Sequence, residues 1–212
     1  MNLVPLAIAL FMLLALSTSQ ANLITFDDIS TDFMDPSGEV KGVTAFITNG
    51  YENLNWVNFY AENGLRAAST YGTDGYYYGM LTASNVAFNG SGFPAEIDSA
   101  GTNFNFLSAY LTGAFNSNLN IEVEGFSGAT LLYGTTVVAS ATSPMLFTFN
   151  YLDIDRLYFN SFGGQSAGFP NGAGDVFAMD NLTVEFIPEP SSLLLATVGA
   201  LLLWPLLRRK RA

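Results

Sequence analysis

The sequence predicts an all-β protein: an antiparallel two-sheet sandwich of the jelly-roll kind, preceded by an N-terminal signal helix and followed by one C-terminal transmembrane helix. Three observations lead there. Between two apolar ends, Gly, Asn, Asp and Pro punctuate the chain at intervals of roughly 8 to 15 residues. Within those intervals apolar residues recur at a period of two, and no body segment carries a 3.6-residue apolar stripe. Half the chain is apolar and 14% is aromatic, with 18 Phe and 10 Tyr, which is ample material for a core between two sheets.

Taken in order, the first element is residues 1–21. An apolar run from Leu3 to Leu16 has the length of a signal-peptide core, and Ser19 and Ala21 stand at the −3 and −1 positions of a cut. The segment before the run holds no Lys or Arg, so its positive charge is the α-amino group alone. The alternative is a buried first helix, but nothing in the body offers a helical apolar face to receive it.

The body, residues 22–186, follows as one β-sandwich ectodomain. Its clearest strand is "LNIEVEGF", with Leu119, Ile121 and Val123 on one face and Asn120, Glu122 and Glu124 on the other. "LTVEF" repeats the pattern with Leu182, Val184 and Phe186 inward. The other strand candidates are "NLITF", "VTAFIT", "NWVNFY", "NVAFN", "FNFLSAYL", "ATLLYGTTVV", "MLFTFN" and "RLYFNSF". Residues 50–55, 69–78 and 163–175 read as long glycine-rich loops, where functional surface collects.

The last element is residues 187–212. Residues 191–207 are uncharged and make about 25 Å of helix at 1.5 Å per residue, slightly short for a hydrocarbon core of about 30 Å. Arg208, Arg209, Lys210 and Arg211 then hold the C-terminus in the cytoplasm by the positive-inside rule. The segment from Pro188, Glu189 and Pro190 through the span to the basic cluster resembles the PEP-CTERM sorting signal of exported bacterial proteins. That resemblance implies recognition by an intramembrane exosortase, transient anchoring in the inner membrane, and release to the cell surface or the extracellular polymer matrix. The plainer alternative is a permanent anchor in which Pro-Glu-Pro is only a stiff linker.

Composition closes off much chemistry. There is no Cys and no His, which excludes disulfides, thiolate nucleophiles, Cys-ligated zinc and histidine-based triads. All but one of the 18 acidic residues lie in the body, against Lys41, Arg66 and Arg156 there. So acidic a surface repels phosphate backbones, excluding nucleic acid as a partner, and favours divalent cations.

Three candidate sites remain. Counting by two from Ile24 and from Leu182 sets Asp28 and Asp180 on core-facing sides, where a carboxylate needs a cation, backbone donors or a bulge that turns it out. The opening "NLITFDDI" and closing "FAMDNLTVEF" resemble jelly-roll ectodomains that precede such tails, and carbohydrate-binding modules with a galactose-binding-like sandwich. That resemblance implies Ca²⁺ held by Asp27 or Asp28 together with Asp180, while local Asx turns are the alternative reading. The second site is a sugar platform of Trp56, Tyr60, Tyr76 and Tyr78, if the strand spacing stays regular; ordinary core aromatics are its alternative. The third pairs Glu122 with Glu124 as glycosidase carboxylates. "NIEVE" echoes a jelly-roll motif of three alternating acids but has Asn120 in the first position, and two solvated glutamates are the simpler reading. "DIDR", residues 153–156, reads as a turn with a surface ion pair.

Together these features predict a non-enzymatic structural or binding protein of biofilm or exopolysaccharide. Its rivals are a carboxylate-dependent glycan hydrolase on the same fold and a permanently anchored adhesin.

Overall fold

A computed structural model describes residues 20–187 apart from 35, 36, 38, 39 and 100. Residues 1–19 of the signal segment lie outside the described residues, as do Pro188, Glu189 and Pro190, the span 191–207 and the basic residues 208–211. Among the described residues no helix is long and apolar enough to cross a membrane.

In chain order the strands are β1 (Ala21–Ile24), β2 (Phe33–Met34), β3 (Val40–Lys41), β4 (Thr44–Phe46), β5 (Asn55–Val57), β6 (Phe59–Asn63), β7 (Asn85–Asn89), β8 (Ala95–Asp98), β9 (Phe104–Gly113), β10 (Asn116–Ser117), β11 (Leu119–Ser127), β12 (Thr130–Ala139), β13 (Met145–Ile154), β14 (Arg156–Phe162), β15 (Gln165–Ser166) and β16 (Phe177–Phe186). Two helices, α1 (Gly64–Tyr71) and α2 (Gly75–Gly79), stand between β6 and β7. Single 3₁₀ turns occupy Tyr51–Asn53 and Gly90–Gly92.

The larger sheet runs β13-β9-β16-β7-β6-β4, with β1 also paired to β16. The smaller runs β12-β11-β14-β8-β5, and β2-β3 and β10-β15 form two short ribbons. Every pairing is antiparallel. The chain crosses directly between the two large sheets at β4 to β5, β5 to β6, β7 to β8, β8 to β9, β12 to β13 and β13 to β14, and by way of the β10 and β15 ribbon strands from β9 to β11 and from β14 to β16.

The inner faces meet through aromatic rings. Phe159 of the smaller sheet contacts Phe59 and Phe177 of the larger at 5.7 Å each, and Phe106 at 6.3 Å. All four are fully buried, and edge-to-face geometry for two of these three contacts lets rings interlock where parallel sandwiches would not. The parity expected in β11 and in the C-terminal half of β16 is present: Leu119, Ile121, Val123, Leu182 and Val184 are buried, with the residues between them half-exposed.

Each of the ten sequence-predicted segments contains a strand, but three local features depart from the reading. "NWVNFY" divides at Asn58, whose positive φ of 57° ends one strand and begins the next in the other sheet. Its Nδ2 then donates to the carbonyls of Gly90, Phe93 and Pro94, so the crossing is held by one amide side chain. Residues 69–78, expected as loop, are largely helical. Asn63 caps α1 by accepting from the Arg66 amide at 2.9 Å, and Asp74 caps α2 by accepting from the amides of Tyr76 and Tyr77. Helices this short hold too few turns for an apolar stripe to be read. Finally β8, "AEID", is not among the predicted strands: it alternates regularly, with Ala95 and Ile97 buried, but it is four residues long and holds one strong strand former.

Candidate functional site

Among the described residues nothing covers the outer face of the smaller sheet, whereas the helices cover part of the larger one. Tyr76, Val86, Ala114, Val176 and Ala178 form a second buried cluster there, with Met80, Phe88 and Phe115 packed against it. Gly75 lets α2 lie directly on the sheet, since any side chain there would run into the Gly113 carbonyl and Ala114. The cover stops short of the β4 edge.

At that edge lies a row of aromatic rings. Register sets Phe46 opposite Tyr60, and Tyr60 opposite Phe88, across three adjacent strands. The ring centroids are 4.5 Å apart for Phe46 and Tyr60 and 5.4 Å for Tyr60 and Phe88. The row continues under α2 through Tyr76, 5.1 Å from Phe88, to Phe115 at 5.5 Å. Phe46 is 70% exposed, Tyr60 and Phe88 are half-buried, and Tyr76 is buried. With Thr44, Gly90 and Ser91 the outer three rings line an open groove of about 370 Å³. Gly90 permits its wall to form, because a Cβ there would strike the Tyr60 ring. An apolar floor edged by hydroxyls suits a ligand with one hydrophobic face and a polar rim.

Two groups of carboxylates lie beneath the same cover. In the first, β16 carries an extra residue at Asn181, φ 49°, where the register slips from Asp180↔Tyr110 to Thr183↔Ser108. This bulge corrects the parity expected for Asp180. Counting by two from Leu182 would aim it at the core, but Ala178 beside it belongs to the outer cluster, and Asp180 is fully buried on that side. Its Oδ2 accepts from the amides of Leu81 (2.7 Å) and Thr82 (3.2 Å), and its Oδ1 from that of Asn181 (2.7 Å). Burial raises the carboxyl above the ordinary range, those donors lower it, and the nearby Asp27 adds a smaller upward push. Asp27 Oδ1 accepts from the Ser84 and Asn85 amides at 2.5 and 3.0 Å. Asp28 stands apart, exposed, accepting from the Tyr51 hydroxyl at 2.7 Å.

In the second group, Glu62 shares the outer face of β6 with Tyr60 and is 8% exposed. Burial, with Asp74 nearby, pushes its carboxyl up to about 8. Asp74, at the head of α2, accepts from Asn171 Nδ2 at 2.8 Å. Among the described residues no three acidic side chains converge as a metal cage.

The predicted sugar platform is therefore divided. Trp56 is 5% exposed, packed edge-on to Phe26 and Phe59, with its indole N–H donating to the Tyr51 carbonyl. It shares no face with Tyr60, because the strand break at Asn58 sends the two residues to different sheets. Tyr76 and Tyr78 lie on a helix rather than a strand, so residues two apart diverge: Tyr76 turns into the sheet and Tyr78 stacks on Phe169 at 6.0 Å. Only Tyr60 of the four lines the groove.

Glu122 and Glu124 lie half-exposed on the open face of the smaller sheet. Glu122 accepts from Asn160 at 3.4 Å, and Glu124 pairs in register with Tyr158, which itself pairs with Glu96. Burial and then these three carboxylates hold the Tyr158 phenol above 10. The ion pair expected within residues 153–156 is not local: Arg156 reaches across to Glu96 at 3.5 Å and lies over the Phe126 ring at 4.1 Å, while Asp155 accepts from the Gly128 amide.

No protein-family model matches this chain, and no curated protein matches it. Among solved structures it is similar to a DUF4465 family protein from Bacteroides ovatus, at TM-score 0.44 and 10% identity over 80% of this chain and 100% of that one. It is similar also to a DUF4465 family protein from Bacteroides caccae, at 0.39 and 14% over 79% and 86%. A third is TmCBM61 in complex with β-1,4-galactotriose, at 0.27 and 6% over 64% and 84%. Each is a likeness in chain path and no more.

Phe46 and Phe88 escaped sequence reasoning although both sit in correctly read strands. The available signal was "VTAFIT", whose Phe46 alternates out of step with the buried Ile47 and so belongs on the outer face. Phe88 likewise alternates with Ala87 and Asn89.

Proposed function

We propose that this is an exported, non-enzymatic glycan-binding protein of the bacterial cell surface or extracellular polymer matrix, built on a jelly-roll, galactose-binding-like sandwich. The carrying observation is the ring row Phe46, Tyr60 and Phe88, exposed at one sheet edge and flanked by the hydroxyls of Thr44 and Ser91. Pyranose rings present C–H faces that stack on such rings while their hydroxyls take hydrogen bonds from the rim. A glycan array probed with the full chain tests it. Neutral oligosaccharide binders are expected, with affinity falling about tenfold in Phe46→Ala and in Tyr60→Ala. An array with no binder, or binding by both variants as tight as that of the unsubstituted chain, sinks this reading.

The export and sorting part of the proposal rests on the sequence at the two ends. Intact mass of the protein recovered from its native cells tests it: loss of the residues after the Pro-Glu-Pro region is expected, and a full-length membrane-bound species favours the permanent adhesin.

A second reading is a structural Ca²⁺ between Asp27 and Asp180. Both carboxylates are already served by backbone N–H groups, the arrangement that holds an anion without metal. What favours calcium is that Thr82 Oγ1 and Asn181 Oδ1, in residues whose amides donate to Asp180, are buried with no hydrogen-bond partner among the described residues. The expected outcome is a rise in Tm with calcium over chelator that is absent in Asp27→Asn; identical shifts in both would remove it.

A further inference from the structure

We propose that β12 is a self-association edge, to which a second copy of this chain adds its own β12 antiparallel, joining the two smaller sheets into one. The two flanks of the sandwich differ in length. On one flank the sheets end in β4 and β5, three residues each; on the other they end in β12 and β13, ten residues each. A short edge offers few free backbone groups, whereas a long one presents a row of unpaired N–H and C=O groups that another strand can take up. β13 is bent by positive φ at Asn150 (52°) and Asp153 (58°), where its register slips. In β12 no residue has positive φ, and its one irregularity lies near its start, opposite Phe126. From Tyr133 to Ala139 it pairs regularly with β11 on one side and, among the described residues, with no strand on the other.

Charge selects the occupant. Residues 22–186 set 17 acids against three bases, so two copies repel over most of their surface. From Gly125 to Leu152, all of β12 and most of β13, the chain holds no charged residue, and Leu131, Leu132, Val138, Met145 and Leu146 are exposed there. An uncharged edge gives a basic or acidic partner nothing to recognise and gives like-charged copies a place to meet. β12 also complements itself. Residues directly opposite across an antiparallel pair share a face, so a two-fold axis at Thr135 sets Leu132 against Val138 and Tyr133 against Val137, exposed with exposed and half-buried with half-buried. Glu122 and Glu124 lie on β11, one strand inboard. Those of the two copies therefore stand three strand spacings apart, about 14 Å, beyond a Debye length of about 8 Å. A ten-residue strand of about 34 Å, on sheets about 10 Å apart, gives a flank of about 340 Å² per copy. Twice that area falls in the range of weak, transient association, so the dimer forms at micromolar concentrations and above. β4 and its groove end the larger sheet opposite β13, so the dimer leaves both grooves open, and the inference stands whether or not they hold glycan.

The chain has no cysteine, so a single introduced one reports the contact. Opposed residues of an antiparallel pair stand about 4.5 to 5.5 Å apart at Cα, within disulfide reach. In the full chain, kept in mild detergent for its apolar ends and oxidised at micromolar concentration, Thr135→Cys is expected to link into a dimer. Thr70→Cys, exposed on α1, is expected to stay monomeric and so separates this contact from association through the ends. Thr136→Cys, whose own mate lies two residues off in this register, is expected to link little. Adding Val138→Glu to Thr135→Cys puts a carboxylate against Leu132 and is expected to abolish the link; because Val138 is exposed, circular dichroism should show the fold intact. No linked dimer from Thr135→Cys, equal linking by Thr70→Cys or Thr136→Cys, or a link that survives Val138→Glu overturns the proposal and leaves β12 to another occupant.

Discussion

The outer faces of the two sheets carry similar residues and put them to different uses. Each presents carboxylates beside aromatic rings on alternating strands: Glu96, Glu122 and Glu124 around Tyr158 on the smaller sheet, Glu62 beside Tyr60 on the larger. On the smaller sheet these groups are half-exposed, and water screens them. On the larger, α2 and residues 80–84 lie over the strands, so Glu62, Asp74 and Asp180 are buried, and Asp74 and Asp180 are held by specific N–H donors. Covering a face, rather than its residue types, turns a soluble strand into a place where charge has structural consequences.

The sharpest way to break this comparison is to remove a buried acceptor from the covered face. Asp180→Ala strands the amides of Leu81, Thr82 and Asn181, and we expect a loss of about 3 kcal/mol. In thermal melts that is a Tm lower by roughly 6 to 12 °C. A change near zero would mean that the 80–84 segment is not held by Asp180.

A smaller effect separates the interior from the open face by pH. Tyr151, buried between the sheets, donates its hydroxyl to the Val123 carbonyl at 3.0 Å, and burial holds its phenol above the ordinary 10. The folded state therefore keeps this proton more tightly than the unfolded chain does. Stability is full below the unfolded value and falls as pH rises through the folded one. Tyr151→Phe should cost about 1 kcal/mol at neutral pH and flatten the alkaline limb, as read by urea melts between about pH 9 and 12. An unchanged limb would assign the alkaline loss to other groups.

The smallest effect belongs to the open face. Glu122→Gln and Glu124→Gln should each shift stability by less than about 0.5 kcal/mol in the same urea melts. A larger loss from either would show that the open face also carries a built site.

Much of the fold was legible because alternation reports a single event, whether a side chain points toward an apolar layer. Leu119, Ile121 and Val123 are as clear in the letters as in space. The site was less legible for two reasons. Asn58 and Asn181 each insert one residue with positive φ, and one such residue reverses the parity of everything beyond it. That reversal separated Trp56 from Tyr60 and moved Asp180 off the core side. The other reason is that α1 and α2 are held by caps and by close seating on the sheet, at Asn63, Asp74 and Gly75, rather than by an apolar stripe of their own.

By itself the sequence determined that the body is antiparallel β, which residues of the regular strands alternate, and that no histidine or cysteine chemistry is open to it. These follow from local geometry, a two-residue period and an inventory of side chains. Only the tertiary structure decided that Phe46, Tyr60 and Phe88 form one row, that Trp56 is core, and that Glu62 is buried while Glu122 is wet. Those outcomes depend on which strands become neighbours and what lies over them. Register between strands and the cover on a face are set by contacts between residues far apart in the chain, and no local period encodes them.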